Sequence, residues 1–433
     1  MNERSNQMAI LKGRITGICP RDEATNVLEI YDGSNYINCL SPKGYSASPG
    51  DIVSLRLEEH SVEKVVCGLE ILTRAERRLP TRSELEYRGV DFKRKQPEVT
   101  MILDGSKQVF EYRGRVISFI RKFLESRGFI EVETPYLNIA PEISPVPDFV
   151  TERPRNFMPF HLRITNTEYM RRLMVAGFDE VYQIGKCFRD EKSSFKHHPE
   201  FTQLTFGVAY QNYNFLIDLT EELIHQAAEK IVGKTKFNFR GQEIDLTPPW
   251  RRMTMRESIE KFAGIDIEKY PSNEELSKRM EEMGMNPPHE FLFSGFLIRN
   301  ALIDKLVEDF VVPHMVQPTF IKEYPYCLGG PAKEVEGKSG YKQRCEVFVG
   351  TMEIANYSTP QNDFKKVKMW YDETLQQKIE SGWKNQFLDE GYLFAVSHGI
   401  QPCATGGFGI DRLLMLLLEK DDIKDVILFP EKA

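Results

Sequence analysis

The chain has no cysteine pair at C-x-x-C spacing, and its seven cysteines, an odd number in 433 residues, are scattered through apolar segments. That pattern excludes a disulfide framework, gives no metal site and suits reduced thiols. No stretch approaches the about 18 consecutive apolar residues of a membrane-spanning helix. The opening MNERSNQMAILKGRITGI also lacks the apolar core of a signal peptide, so a soluble, cytoplasmic protein is expected. Basic charge is not in excess: 57 Lys and Arg face 64 Asp and Glu, a net charge of -7. A nonspecific nucleic-acid coat is thereby excluded, and any RNA contact must be local. Internal repeats and low-complexity tracts are absent. Gly337-Lys338-Ser339 ends like a phosphate loop, but Ala332 stands where the leading glycine belongs and no apolar strand precedes it. It reads as a surface turn.

What is present centres on Gly177 to Thr205. Glu180-Val181-Tyr182-Gln183-Ile184 alternates like a strand, and Phe201-Thr202-Gln203-Leu204-Thr205 can pair back against it across a polar loop. Arg189 falls where the first strand ends, and a guanidinium fixed there offers a planar fork of donors to phosphate oxygens. Glu191, His197, His198 and Glu200 crowd the same loop, and Phe201 supplies a flat ring on which a base can stack. The competing reading is a solvated hairpin with ordinary surface charges. A second stretch, Gly406-Gly407-Phe408-Gly409-Ile410-Asp411-Arg412-Leu413-Leu414-Met415-Leu416-Leu417, reads as a strand passing into a buried helix, with Arg412 aimed over the glycines.

FRDE with HHPEF, followed by GGFGIDRLLMLL, resembles motifs 2 and 3 of class II aminoacyl-tRNA synthetases, and more narrowly the lysine, aspartate and asparagine subgroup. Gly128-Phe129-Ile130-Glu131-Val132-Glu133-Thr134-Pro135 resembles motif 1. The resemblance to the lysine enzymes runs from about Ile10 to Pro430, and neither the HIGH nor the KMSKS signature of the other synthetase class occurs. It implies a homodimer joined through the helix and strand of motif 1. The fold class expected is α+β: an OB-type β-barrel, then a catalytic domain with a mostly antiparallel sheet flanked by helices.

Along the chain, five short alternating runs between residues 10 and 72 suit the small barrel. In the resembled enzymes it reads the anticodon. Here Val27 and Asn38 align with the family's stacking aromatic and its glutamine, and acidic residues outnumber basic ones, so a barrel kept for packing is the alternative. Residues 73–106 read as a charged linker, and 107–433 as the catalytic domain. Gln108 to Arg127 has helical spacing, and 252–318 reads as a helical insertion of amphipathic segments.

Glu346 and Glu353 flank a turn between strands, where two carboxylates can hold Mg2+ against triphosphate oxygens. The resemblance implies that both are metal ligands. It further implies that Arg189 stabilises the α-phosphate, Arg412 and Phe201 sandwich adenine, Glu191 touches its edge and His197 reaches the outer phosphates. Gly409 borders ATP and Gly407 the amino acid. The amino-acid half departs from the family. Thr167, Thr205 and Pro360 align with carboxylates of the lysine enzymes, Gly207 with a tyrosine, and Met170 and Pro360 with the lysine and arginine of the aspartate enzymes. A buried ammonium left unpaired loses several kcal/mol. The expected substrate is therefore an amino acid with an uncharged or unusual side chain, its α-amine held by Glu168, with Asn356 on the pocket floor. Three functions follow: a synthetase charging tRNA, an adenylating ligase with a small-molecule, peptide or protein acceptor, and a noncatalytic regulatory relative.

Overall fold

The computed structural model describes residues 8–59, 63–143, 146–152, 159–287, 295–382 and 386–431. The chain divides into two compact units, Met1–Glu111 with Leu428–Ala433, and Tyr112–Ile427.

In the first unit β1 (Met8–Pro20), β2 (Thr25–Tyr31), β3 (Tyr36–Pro42), β4 (Ile52–Glu59) and β5 (Lys64–Thr73) close a barrel in the order β1-β2-β3-β5-β4. Val62, placed in the last strand by its sequence, lies outside the described residues. Alternation turns Ile15, Leu28, Ile30, Val53, Leu55 and Val66 inward as the barrel core. The β2–β3 turn is tied by Asp32, whose Oδ1 accepts the amides of Ser34 and Asn35 at 2.8 and 2.7 Å. Within 73–106, read as a charged linker, two helices form: α1 (Arg82–Lys95) and α2 (Pro97–Asp104). Their start signals are local: a capping box joins Thr81 to Glu84, and Pro97 occupies a first-turn position where its missing N–H is not needed.

The helix α3 (Lys107–Glu125) leads to β6 (Ile130–Glu131). A small sheet of β7 (Leu137–Asn138), β8 (Val150–Thr151) and β9 (Phe160–Leu162) precedes α4 (Thr167–Val175). The hairpin read from sequence is β10 (Glu180–Phe188) and β11 (Glu200–Ala209), paired antiparallel from Glu180↔Val208 to Phe188↔Glu200. After α5 (Tyr213–Ala227) come a two-stranded ribbon, β12 (Lys236–Phe239) and β13 (Gln242–Asp245), and then β14 (Arg251–Thr254). The insertion contributes α6 (Met255–Ala263), α7 (Asn273–Glu282) and α8 (Gly295–Leu306), which bury Ile259, Leu276, Met280, Leu302 and Leu306 in one core with Ile321, Tyr324 and Phe348.

The chain returns to the sheet through β15 (Thr319–Pro325), β16 (Glu334–Val335), β17 (Lys338–Val349) and β18 (Met352–Ser358). It closes with α9 (Phe364–Glu380), α10 (Glu390–Ser397), β19 (Cys403–Gly409) and α11 (Ile410–Leu417). The large sheet runs β14-β15-β17-β18-β19-β11-β10-β6, with β16 beside β17. Only β14–β15 and β10–β6 pair parallel among these neighbours. Gly337, in the rejected phosphate-loop motif, sits at φ +72° in the β16–β17 turn, and Lys338 there pairs with Glu323 at 2.6 Å.

One buried ion pair fixes the centre. Arg113 on α3 bonds Asp411 at 2.5 Å and Thr202 Oγ1 at 2.8 Å, and Asp411 accepts the Thr202 amide at 2.6 Å. Helix α3, the motif 2 strand and the motif 3 helix are thus locked at one point, where the buried Asp411 carboxylate is paired with Arg113.

Candidate active site

The hairpin β10–β11 and the strand β19 are neighbours, with Gln203 opposite Gly409 and Thr205 opposite Gly407. That register brings motif 2 and motif 3 to one surface. The glycines there are required by contact: a Cβ on Gly406, at φ +151°, would fall 2.2 Å from the Asn356 carbonyl oxygen, and one on Gly407 would fall 2.4 Å from that of Leu204. Three strands approach closely without side chains, leaving a flat floor.

Over this floor lies a cavity of about 120 Å3. Arg189, Glu191, His197, Phe201, Glu353 and Arg412 all line it, and Gly409 forms part of its base. Arg189 stands with its guanidinium carbon 5.2 Å from the Phe201 ring centroid. Arg412 donates Nε to the Lys196 carbonyl at 3.1 Å and Nη1 to that of Glu353, and its Nη1 lies 3.8 Å from the Glu353 carboxylate. The His197 loop is closed by Ser194 Oγ, 2.8 Å from His197 Nδ1. Burial, then the positive charges of Arg412, Lys196 and Arg189, hold the imidazole down to about 4, so it is a neutral hydrogen-bonding group near pH 7. Burial, then Arg412, also lowers Lys196. Cations pressed together in this way are relieved by an anion.

A second cavity of about 250 Å3 adjoins the first, and Arg189, Gln203, Asn356 and Gly407 line both. Thr167 and Glu168 border it from α4, with Glu142, Arg171, Arg344 and Trp370. Glu142 Oε1 accepts the amides of Ile164 and Thr165 at 3.0 and 3.1 Å. Burial first, and Glu168 second, push its carboxyl up to about 8. Glu168 accepts Tyr371 Oη at 2.6 Å, and burial raises it as well.

Glu346 lines neither cavity but stands behind the floor, accepting Arg344 Nη2 at 2.6 Å and Asn356 Nδ2 at 3.0 Å. Burial, then Glu353, raises it to about 7 despite Arg344. Among the described residues no three or more His, Cys, Asp or Glu side chains cluster as a closed metal site. Two carboxylates suit only a hard cation that takes its other ligands from water or phosphate.

Three of the residues expected to bind the amino acid line neither cavity. Thr205 is fully buried with Oγ1 unpartnered. The position of Gly207 is walled by Met170, Met174 and Val181, each 3.2 Å from where a Cβ would lie. Pro360 bridges to Ala332. Conversely, Glu142, Lys196, Arg171, Arg344, Gln203 and Trp370 were not anticipated. Gln203 and Lys196 fell inside the motif 2 stretch and could have been found there. Glu142 sits well before that stretch and carried no local signal.

An α+β architecture with an arginine-framed cavity on a mostly antiparallel sheet, in a chain that also carries a five-stranded barrel, is that of a class II synthetase. The chain belongs to this family: residues 89–433 match the tRNA synthetases class II (D, K and N). It is 34% identical to a lysine--tRNA ligase of Pelotomaculum thermopropionicum over 447 aligned residues, covering 99% of this chain and 87% of the relative. It is also 34% identical to one from Moorella thermoacetica over 88% of this chain and 78% of the relative, and 36% identical to one from Dehalococcoides mccartyi over 75% and 64%. No helix among the described residues is long and apolar enough to cross a membrane.

Proposed function

We propose that the protein activates an amino acid with ATP, as an aminoacyl-adenylate, and transfers it to tRNA, and that its pocket suits neither lysine nor aspartate. The observation that carries the activation step is the convergence of Arg189, His197, Phe201 and Arg412 on one cavity that opens, past Arg189, into a second. The amino-acid carboxylate attacks the α-phosphorus, the bond to the bridging oxygen breaks, and pyrophosphate leaves with that electron pair. Arg189, at the junction of the cavities, neutralises the oxygens of the α-phosphate as the carboxylate approaches. Phe201 and Arg412 hold adenine between a ring and a guanidinium, and Glu191 bonds its edge. His197 and Lys196 meet the outer phosphates. Glu346 and Glu353 would hold Mg2+, which supplies charge neutralisation on the triphosphate.

The selectivity is supported by Thr167, which lines the second cavity where the lysine enzymes carry a carboxylate, and by Gly329, Gly330 and Pro331, which border it without charge. A homodimer is supported by the apolar side chains exposed around motif 1, Ile130 at 54% and Ile139 at 66%. The test is ATP–pyrophosphate exchange across an amino-acid panel, followed by charging of total tRNA. The absence of exchange with any amino acid sinks the proposal. A non-tRNA acceptor is a second reading, favoured by Val27 on β2 and Asn38 on β3 where the resembled barrels stack and read bases. Exchange without tRNA charging would select it.

A further inference from the structure

A third cavity, of about 100 Å3, shares Gly330, Pro331 and Trp370 with the second and no residue with the first. Its wall includes Lys342 on β17, a lysine only 6% exposed. Lysine is rarely buried without an acid beside it, because its ammonium gives up most of its hydration. Among the described residues the Lys342 ammonium has no ion pair and no hydrogen bond. It has instead the face of Tyr326, with Nζ 4.1 Å from the ring centroid, and a ring returns only part of the hydration lost. The position is built for this side chain. A Cβ on Gly329 would fall 2.1 Å from Lys342 Cγ and 2.4 Å from its Cβ, so only a glycine lets the stem pass.

The groups around the ammonium are also donors. Gln361 Oε1 accepts the amides of Asn362 and Asp363, both at 3.1 Å, which leaves Nε2 as the end without a partner. Trp370 Nε1 is buried with no acceptor. Lys366, in the first turn of α9, lines the cavity with a second ammonium, also unpaired among the described residues. The acid lining it is Glu334, and no ion pair joins it to either lysine. Burial lowers the Lys342 ammonium, Glu334 opposes that effect and Lys366 adds to it. Two cations, an amide and an indole thus face one space with a single carboxylate between them. A surplus of donors of this kind is what an anion with several acceptor oxygens satisfies.

We infer that the third cavity is an oxyanion site, in which Lys342, Lys366, Gln361 and Trp370 hold a carboxylate or phosphate group. Lys342 supplies the buried charge, Tyr326 backs it, and Gln361 and Trp370 supply neutral donors. A lysine that only fills space would need neither a second free ammonium nor an unpartnered indole beside it. The site is separate from the one that takes the phosphates of ATP, since Arg189, His197 and Arg412 line the first cavity and not this one. Its occupant lies against Gly330, Pro331 and Trp370, which also border the second cavity. The inference does not depend on which amino acid is activated, or on activation itself.

The test follows the fluorescence of Trp370 in the full chain during titration with sodium phosphate and, separately, sodium acetate, at one ionic strength held with sodium chloride. W370F removes the reporter and sets the background. A saturable change with at least one anion is expected, and the tighter of the two identifies the group. K342M keeps the stem over Gly329 and should weaken binding at least about tenfold, because it removes a buried charge. K366M, at an exposed side chain, should weaken it about threefold, and K365M, outside the cavity, should leave it within about twofold. No saturable change with either anion overturns the inference, as does K342M binding like the wild type or K365M losing as much as K342M. Should K342M fail to fold, unchanged binding in K366M overturns it.

Discussion

Replacing Glu142 with glutamine should make the protein more stable at alkaline pH. The glutamine oxygen can still accept the Ile164 and Thr165 amides that Glu142 Oε1 accepts, so the local fold is retained. The carboxyl is raised from 4.5 to about 8 by burial and by Glu168. An unfolded glutamate is ionised above about 4.5, whereas the folded one keeps its proton until about 8, so unfolding releases a proton between these values. The contribution of this group to stability is therefore fully present below pH 4.5 and is lost as pH rises through 8. At about 1.4 kcal/mol per pH unit the ceiling is roughly 5 kcal/mol, and partial exposure to the cavity and sharing with Glu168 reduce it to about 2 kcal/mol. Urea denaturation of the ligand-free protein at pH 5 and pH 8.5 measures it. E142Q should match the wild type at the lower pH and exceed it at the higher. A difference of the same size at both, or none at pH 8.5, would refute the electrostatic reasoning.

Other outcomes can be checked alongside. R189K should lower kcat/KM for pyrophosphate exchange by about a hundredfold, roughly 3 kcal/mol, because a point charge cannot replace a fork at the α-phosphate. D411A should destabilise the fold by about 3–5 kcal/mol in urea, since Arg113 is left buried and unpaired, whereas R113M/D411L should recover most of it. The His197 imidazole should titrate near 4 in the free protein by NMR, since its cationic neighbours disfavour a further proton, and should move upward when ATP is added. A midpoint near 6.5 without nucleotide would show that the loop is not packed against Arg412.

The parts of the molecule legible in the sequence are those built from contiguous residues. The strands of the hairpin alternate, Arg189 and Phe201 sit a loop apart, and the glycines before Arg412 mark a place where backbone meets backbone. The barrel was legible for the same reason, through Asp32-Gly33-Ser34-Asn35 and Pro49-Gly50-Asp51 between alternating runs. Residues 73–106 hid their helices because charge dominates their composition, although the Thr81-x-x-Glu84 box was there to be read. The second cavity was legible only by subtraction. Thr205 and Pro360 announced lost charges, but Glu142 reaches the cavity from a loop well before α4, and no periodicity links the two. Gly207, aligned with a tyrosine of the lysine enzymes, is walled off by Met170 and Met174 of α4, a packing that no local pattern announces.

The most direct measurement is ATP–pyrophosphate exchange with the purified protein, one amino acid at a time. Exchange is expected with an amino acid whose side chain is uncharged, and it should be insensitive to added lysine as a competitor. Robust exchange with lysine or aspartate, and with no other amino acid, would contradict the account.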